Sequence, residues 1–227
     1  MQKGIRYMDD FTTLLKVIVG SRAHGLHTKD SDYDYRGVFL VPTSEILRLG
    51  GTPKQTSWIE GAVDDTQWEL GKFLVLATKC NPTILEVFKS PVIASNETGR
   101  EMLTLFDDVW NTRDVRNAFV GYGLNQRKKF LDDKDGRGGK YAAAYLRSLY
   151  LGCQLLSIGD FNVNMKDSPI YDKLMAWKYG DYEIGDVMQT CYEWTKKIDE
   201  VFTERSPKET NTDAVNDFLL SVRQKNW

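Results

Sequence analysis

Two aspartates separated by one tyrosine, Asp32 and Asp34, are the residues best placed to do chemistry. In an extended chain alternate side chains share a face, so the pair projects together, roughly 6–7 Å apart at the backbone. Two ionised carboxylates at that separation repel each other unless a cation lies between them. Hard oxygen donors at this spacing suit Mg²⁺, which keeps several waters and takes one or two carboxylates plus substrate phosphates; Mn²⁺ is the natural substitute. Upstream, Gly20-Ser21 closes an apolar run. That turn offers backbone N–H groups and a hydroxyl, with no large side chain to block a phosphate. The bland alternative is a solvent-facing aspartate pair in a turn.

The elements that must position these residues follow from periodicity. Residues 14–19 read as a buried strand, rich in β-branched side chains and stopped by Gly20. Residues 33–41 form a second strand, ended by Pro42. A short helix is expected over 45–49, strands over 56–60 and 65–69, and a helix from there through Cys80. Asn81-Pro82 separates that helix from another starting at Thr83. Beyond Phe106 the pattern is entirely helical. Val115, Phe119, Tyr122, Gln126 and Phe130 lie on one helix face; residues 140–158 form a strong helix stopped by Gly159, and Ser168-Pro169 should open the next. Further helices are expected over 184–204 and 213–224. The fold class is therefore α+β: a small mixed sheet in residues 1–108, followed by an all-helical region, 109–227, packed against it.

Composition narrows the class of function. A hydrophobic content of 41% and a charged content of 27% describe an ordinary globular chain. No apolar run is long enough for a membrane span, and the polar N-terminus lacks the apolar core of a signal peptide. Three widely spaced cysteines fit reduced core thiols and a cytoplasmic location. Two histidines and no C-x-x-C exclude a zinc site of the usual kinds. The net charge of −2 is unevenly spread: residues 111–150 hold nine basic and four acidic groups, a local +5. This is the stretch suited to polyphosphate or nucleic acid.

The pattern G-S-R-A-H-G followed by S-D-Y-D-Y-R-G-V resembles the DNA polymerase β-type nucleotidyltransferase superfamily, and within it the branch associated with RNA-repair ligases. Residues 68–73, 79–86, 115–122 and 140–159 are also similar to that branch. The resemblance implies a two-metal site that transfers a nucleoside monophosphate. It also implies a third carboxylate inside a hydrophobic–acid–hydrophobic triplet, which Trp68-Glu69-Leu70 matches. Glu69 is the first choice and Asp65, on the same face of an extended segment, the second; Asp64 would face the other way. Glu69 also reads as an ordinary acid at the start of the following helix.

Around the acids stand candidate donor contacts. Gly20 and Ser21 would meet the phosphates. Arg22 and Arg36 flank the site, Arg36 either neutralising phosphate or holding Asp32 by a charged hydrogen bond. His24 would shape the loop or touch the donor. Lys140 and Arg147 share one helix face with Ala144 between them, about 10.5 Å apart along the axis; the resemblance implies that this helix closes over the triphosphate. Glu86 reads as helix-junction chemistry. The expected activity is Mg²⁺-dependent nucleotidyl transfer from an NTP, ATP first, to an acceptor hydroxyl, with an RNA 3′ end as the first acceptor class. Nucleotidylation of a protein or small molecule, or a non-catalytic nucleotide-binding module, are the alternatives.

Overall fold

The computed structural model describes residues 11–49, 56–59 and 64–227. Strand β1, Thr12–Val19, carries Leu14, Leu15, Val17 and Val19 into the core and ends where Gly20 takes a left-handed φ of 64°. The four-residue helix α1, Gly20–Ala23, follows, and β2, Asp34–Leu40, returns antiparallel to β1. Helix α2 is a single turn, Thr43–Ile46. Strand β3, Thr56–Ile59, pairs antiparallel with β4, Asp64–Glu69. Helix α3, Leu70–Thr78, leaves β4 directly. Helix α4, Pro82–Lys89, is capped by Asn81, whose side chain accepts from the N–H groups of Thr83 and Ile84.

An edge strand, β5, Val92–Ser95, and helix α5, Glu97–Thr104, complete the first half; neither was expected from periodicity. Four residues of β5 after Pro91 give too short a pattern to read. The sheet order is β3-β4-β2-β1-β5, and the β2–β4 pair is parallel. The C-terminal end of β1 and the N-terminal ends of β2 and β4 therefore meet at one end of the sheet. That end holds the aspartates.

A 3₁₀ turn, Leu105–Asp107, leads into the helical half. Helix α6, Thr112–Asp132, packs along α7, Gly138–Ile158, which is buried over most of its length. Helix α8, Tyr171–Lys178, crosses α7 so closely that a Cβ on Gly139 would lie 2.2 Å from the Trp177 carbonyl oxygen. It starts two residues later than Ser168-Pro169 suggested, because residues 168–171 form a turn closed by the Tyr171 N–H on the Ser168 carbonyl. Helix α9, Ile184–Glu204, flanks the pair.

Helix α10, Thr212–Lys225, returns to the first half. There Arg223 bonds the Val41 carbonyl and the Glu69 carboxylate. One apolar core runs through both halves, from Leu14 to Val222, with Phe73, Trp110, Phe119 and Trp177 buried in it. Cys80, Cys153 and Cys191 are free and buried. Among the described residues no helix is long and apolar enough to cross a membrane.

Candidate active site

The site is built on the end of the sheet. In the β1–β2 register Val19 stands opposite Asp34, so Asp34 emerges beside the turn that follows β1. The fit is tight: a Cβ on Gly20 would lie 2.1 Å from the Asp34 carboxylate. Any residue but glycine would have to displace that acid, and the left-handed φ would strain it as well. Asp32 lies just before β2 and is exposed, while Asp34 is half-buried.

The opposite wall comes from α7. Gly20, Ser21, Asp32 and Asp34 share a cleft of about 420 Å³ with Lys140, Ala143, Ala144 and Arg147. Lys140 and Arg147, seven residues apart on one helix face, thus look onto the aspartates across the space left by two alanines. Thr28, Asp30, Ser31, Lys178 and Tyr179 complete the walls. Lys178 and Tyr179 gave no sequence signal. Both bond the Leu26 carbonyl, the tyrosine hydroxyl at 3.0 Å, and so brace the loop that carries Asp32.

The β4 acid on the Asp34 face is neither of the two expected there. In the parallel β2–β4 register Asp34 stands level with Asp64, and Arg36, on the Asp34 face, forks onto both Asp64 oxygens at 2.9 and 3.0 Å. Asp64 is therefore the β4 acid on the Asp34 side. Glu69 and Asp65 lie on the other face of the sheet. Asp65 pairs with Lys16 at 2.7 Å, and Glu69 pairs with Arg223 at 2.6 Å while accepting from the Gly71 N–H as the cap of α3. The alternation along β4 was read correctly. The face was not, because the register against β2 is set by a parallel pairing that local pattern does not reveal.

Two arginine readings change as well. Arg36 holds Asp64 rather than Asp32. Arg22 is spent on the loop: it bonds the carbonyls of Ser31 and Asp32 and stacks on the Tyr33 ring, with its guanidinium carbon 3.7 Å from the ring centroid. His24 caps α1 and is buried, its Nε2 3.0 Å from a Glu86 oxygen. The other Glu86 oxygen accepts from Arg147 at 2.5 Å.

The charges follow from this packing. Burial raises the Asp34 carboxyl, the neighbouring Asp64 raises it further, Arg36 opposes, and Asp32 adds to the rise. A carboxylate pressed upward by two others is one that a cation would relieve. Burial would also raise Glu86, but the Arg147 charge and the His24 hydrogen bond overcome it and hold the carboxyl down to about 2. Burial, and then the Arg147 charge, keep His24 neutral below its ordinary range.

The fit to a divalent ion rests on oxygen donors. Among the described residues no three His, Cys, Asp or Glu side chains stand ready as a cage. Asp64 is gripped by Arg36. Asp32 and Asp34 remain as an acidic pair open to the cleft, which suits an ion that takes two carboxylates and fills its shell with water and substrate phosphate.

The profile of the RNA repair pathway DNA polymerase beta family, RlaP, matches residues 3–219, nearly the whole chain. The chain belongs to this family. A curated relative, the uncharacterized protein YcgL of Bacillus subtilis (strain 168), is 24% identical over 206 residues, covering 88% of this chain and 74% of the relative. A nucleotidyltransferase-like protein from Exiguobacterium sibiricum 255-15 aligns with 94% of this chain and 74% of its own, at 8% identity and a TM-score of 0.31, too distant to carry an argument. Membership in the RlaP family agrees with the α+β layout and the resemblance at residues 20–38.

Proposed function

We propose that the chain is a metal-dependent nucleotidyltransferase that moves a nucleoside monophosphate from an NTP to an acceptor hydroxyl and releases pyrophosphate. The observation that carries this reading is the junction of Gly20 with Asp34. A turn stripped of side chain lies against a carboxylate inside a cleft that also exposes Ser21, Asp32, Lys140 and Arg147. Phosphate-binding groups and metal-binding groups converge there on one space.

Asp32 and Asp34 would hold Mg²⁺ or Mn²⁺, which when bound would lower the pKa of the acceptor hydroxyl and neutralise charge on the leaving pyrophosphate. Ser21 and the backbone of its turn bind the donor's outer phosphates, and Lys140 and Arg147 offset their charge from the far wall. The acceptor oxygen forms a bond to the α-phosphorus while the bond from that phosphorus to the oxygen bridging to the β-phosphate breaks. Asp64 takes the acceptor's proton once Arg36 turns from it toward phosphate. Donor and acceptor are ATP and an RNA 3′ end in this reading. The family's description as RNA repair supports the acceptor, as does the local charge of +5 in residues 111–150, which include the Lys140 wall.

The test is pyrophosphate release from each of the four NTPs, with Mg²⁺ or Mn²⁺, against RNA, protein and small-molecule acceptors. Release with ATP that depends on an RNA 3′ hydroxyl supports the reading in full. Release with another acceptor moves the substrate, and no release under any combination sinks the enzymatic reading.

A further inference from the structure

One carboxylate that does not line the cleft joins its two walls. Glu86 projects from α4 into the interior, and its side chain is only 12% exposed. One oxygen meets His24, which ends the phosphate-side helix α1. The other meets Arg147, on α7. Both partners line the cleft; Glu86 itself does not. The bridge is nearly dry, since the His24 and Arg147 side chains are each 9% exposed.

The bond lines fix how each partner is presented. The carboxylate accepts, so His24 donates through Nε2–H and Arg147 through one guanidinium nitrogen. Arg147 lines the cleft and keeps further guanidinium donors beyond the one that Glu86 takes. His24 is tied from a second direction, because its carbonyl accepts the Met165 N–H. Tyr122 stands beside the bridge: burial raises its hydroxyl, and both Arg147 and Glu86 act on it electrostatically.

We propose that Glu86 is a positioning residue for the donor phosphates: it aims the Arg147 guanidinium across the cleft and fixes the Gly20–Ala23 turn through His24. This rests on the nucleotidyltransferase reading given above. A long arginine side chain loses several rotors when it binds an anion, and a bonded, desolvated guanidinium has lost them already. The carboxylate costs the site some positive charge and gives direction in exchange.

The test is a double-mutant cycle on donor binding. The affinity of nonhydrolysable ATP with Mg²⁺ is measured by calorimetry for the wild type, Glu86→Gln, Arg147→Ala and the double variant, with thermal melting of each. Glu86→Gln should weaken donor binding about tenfold, and adding it to Arg147→Ala should cost clearly less than tenfold, because the arginine arm is already lost and only the His24 arm remains. Losses that multiply would overturn the proposal, as would unchanged affinity in a Glu86→Gln that melts lower. A wild type that binds no donor overturns both this role and the reading beneath it; donor binding with multiplicative losses overturns the role of Glu86 alone. Glu86→Asp, which keeps the charge and shortens its reach, is run in the same cycle and decides the matter should Glu86→Gln fail to fold.

Discussion

On the face of β4 shared with Asp34, the Asp64 side chain keeps 42% of its surface and is held by Arg36 of β2, while on the other face Asp65 and Glu69 keep 6% and each has its own cation. The three acids lie within six residues of one strand. The buried two are neutralised and hydrogen-bonded, as burial of a charge requires. Asp64 shares its end of the sheet with Asp34, whose carboxyl is raised by both Asp64 and Asp32 against the pull of Arg36. Like charges gathered in this way raise a carboxyl and mark a candidate functional site. The difference separates acids paired off in the core from acids gathered at the cleft end of the sheet.

The largest effect should come from the acid nearest the turn. Asp34→Asn should lower turnover by roughly 10²–10⁴-fold, the scale of losing one positioned catalytic group. The same change should leave the metal-free fold as stable or slightly more so, because it removes a carboxylate that its neighbours destabilise. Steady-state pyrophosphate release and thermal melting together check this, and near wild-type turnover in a folded variant would break the assignment.

The two faces of β4 should then respond in opposite ways. Asp64→Asn should cut turnover with little change in melting. Glu69→Ala strands Arg223, whose side chain is 14% exposed, and should cost about 3–5 kcal/mol of stability, the usual result of removing one partner of a buried pair, while turnover per folded molecule holds. Parallel denaturation and activity assays of the two variants decide it. The reverse ranking would return the third-acid role to Glu69.

How far the sequence could be read depended on whether the determining contact was local. Gly20, Asp32 and Asp34 were legible because strand, turn and spacing sit within one short segment. The Lys140–Arg147 face was legible because 3.6-residue periodicity fixes it without a partner. The long helices α6, α7 and α9 declared themselves for the same reason, α7 and α9 within two residues at their ends. Asp64 was assigned to the wrong side because its neighbour is set by a parallel register 30 residues away. Arg36, Glu86 and Lys178 were obscured likewise: their partners lie 28, 61 and 152 residues away along the chain.

Of the basic wall, Arg147 should matter more than Lys140. A charge-assisted contact contributes about 1.5–3 kcal/mol, so Arg147→Ala should weaken donor binding by roughly ten- to a hundredfold. Lys140 is exposed and screened, so Lys140→Ala should weaken it less. Titrations with nonhydrolysable ATP, and with RNA at several salt concentrations, separate the two ligands. A loss confined to RNA, with a flatter salt dependence, would move this wall from donor to acceptor.

The smallest effect lies in pH. The bridge of His24, Glu86 and Arg147 is buried and neutralised like the back of the sheet, yet two of its members line the cleft like the front. Burial first, and then the Arg147 charge, lower the His24 imidazole below its ordinary 6.5. The unfolded chain therefore takes up a proton near pH 6.5 that the folded chain refuses until lower pH. The unfolded state binds more protons in that window, so stability falls as the pH drops through it. The loss is about 1.4 kcal/mol for each unit by which the imidazole is lowered. Glu86 adds a second loss in a separate window: its carboxyl is held to about 2 against an ordinary 4.5, so its contribution is complete above 4.5 and drains away between there and 2. Denaturant titrations at half-unit steps from pH 7.5 to 3 should show both declines in the wild type. His24→Gln, which keeps a side-chain donor for Glu86 and cannot take up a proton, should remove the upper decline and leave the lower one in place. An upper decline that survives His24→Gln would mean that another group takes up the proton; no upper decline in the wild type would mean that the imidazole enters the folded state already charged, and the cleft would then be one positive charge richer than its packing implies.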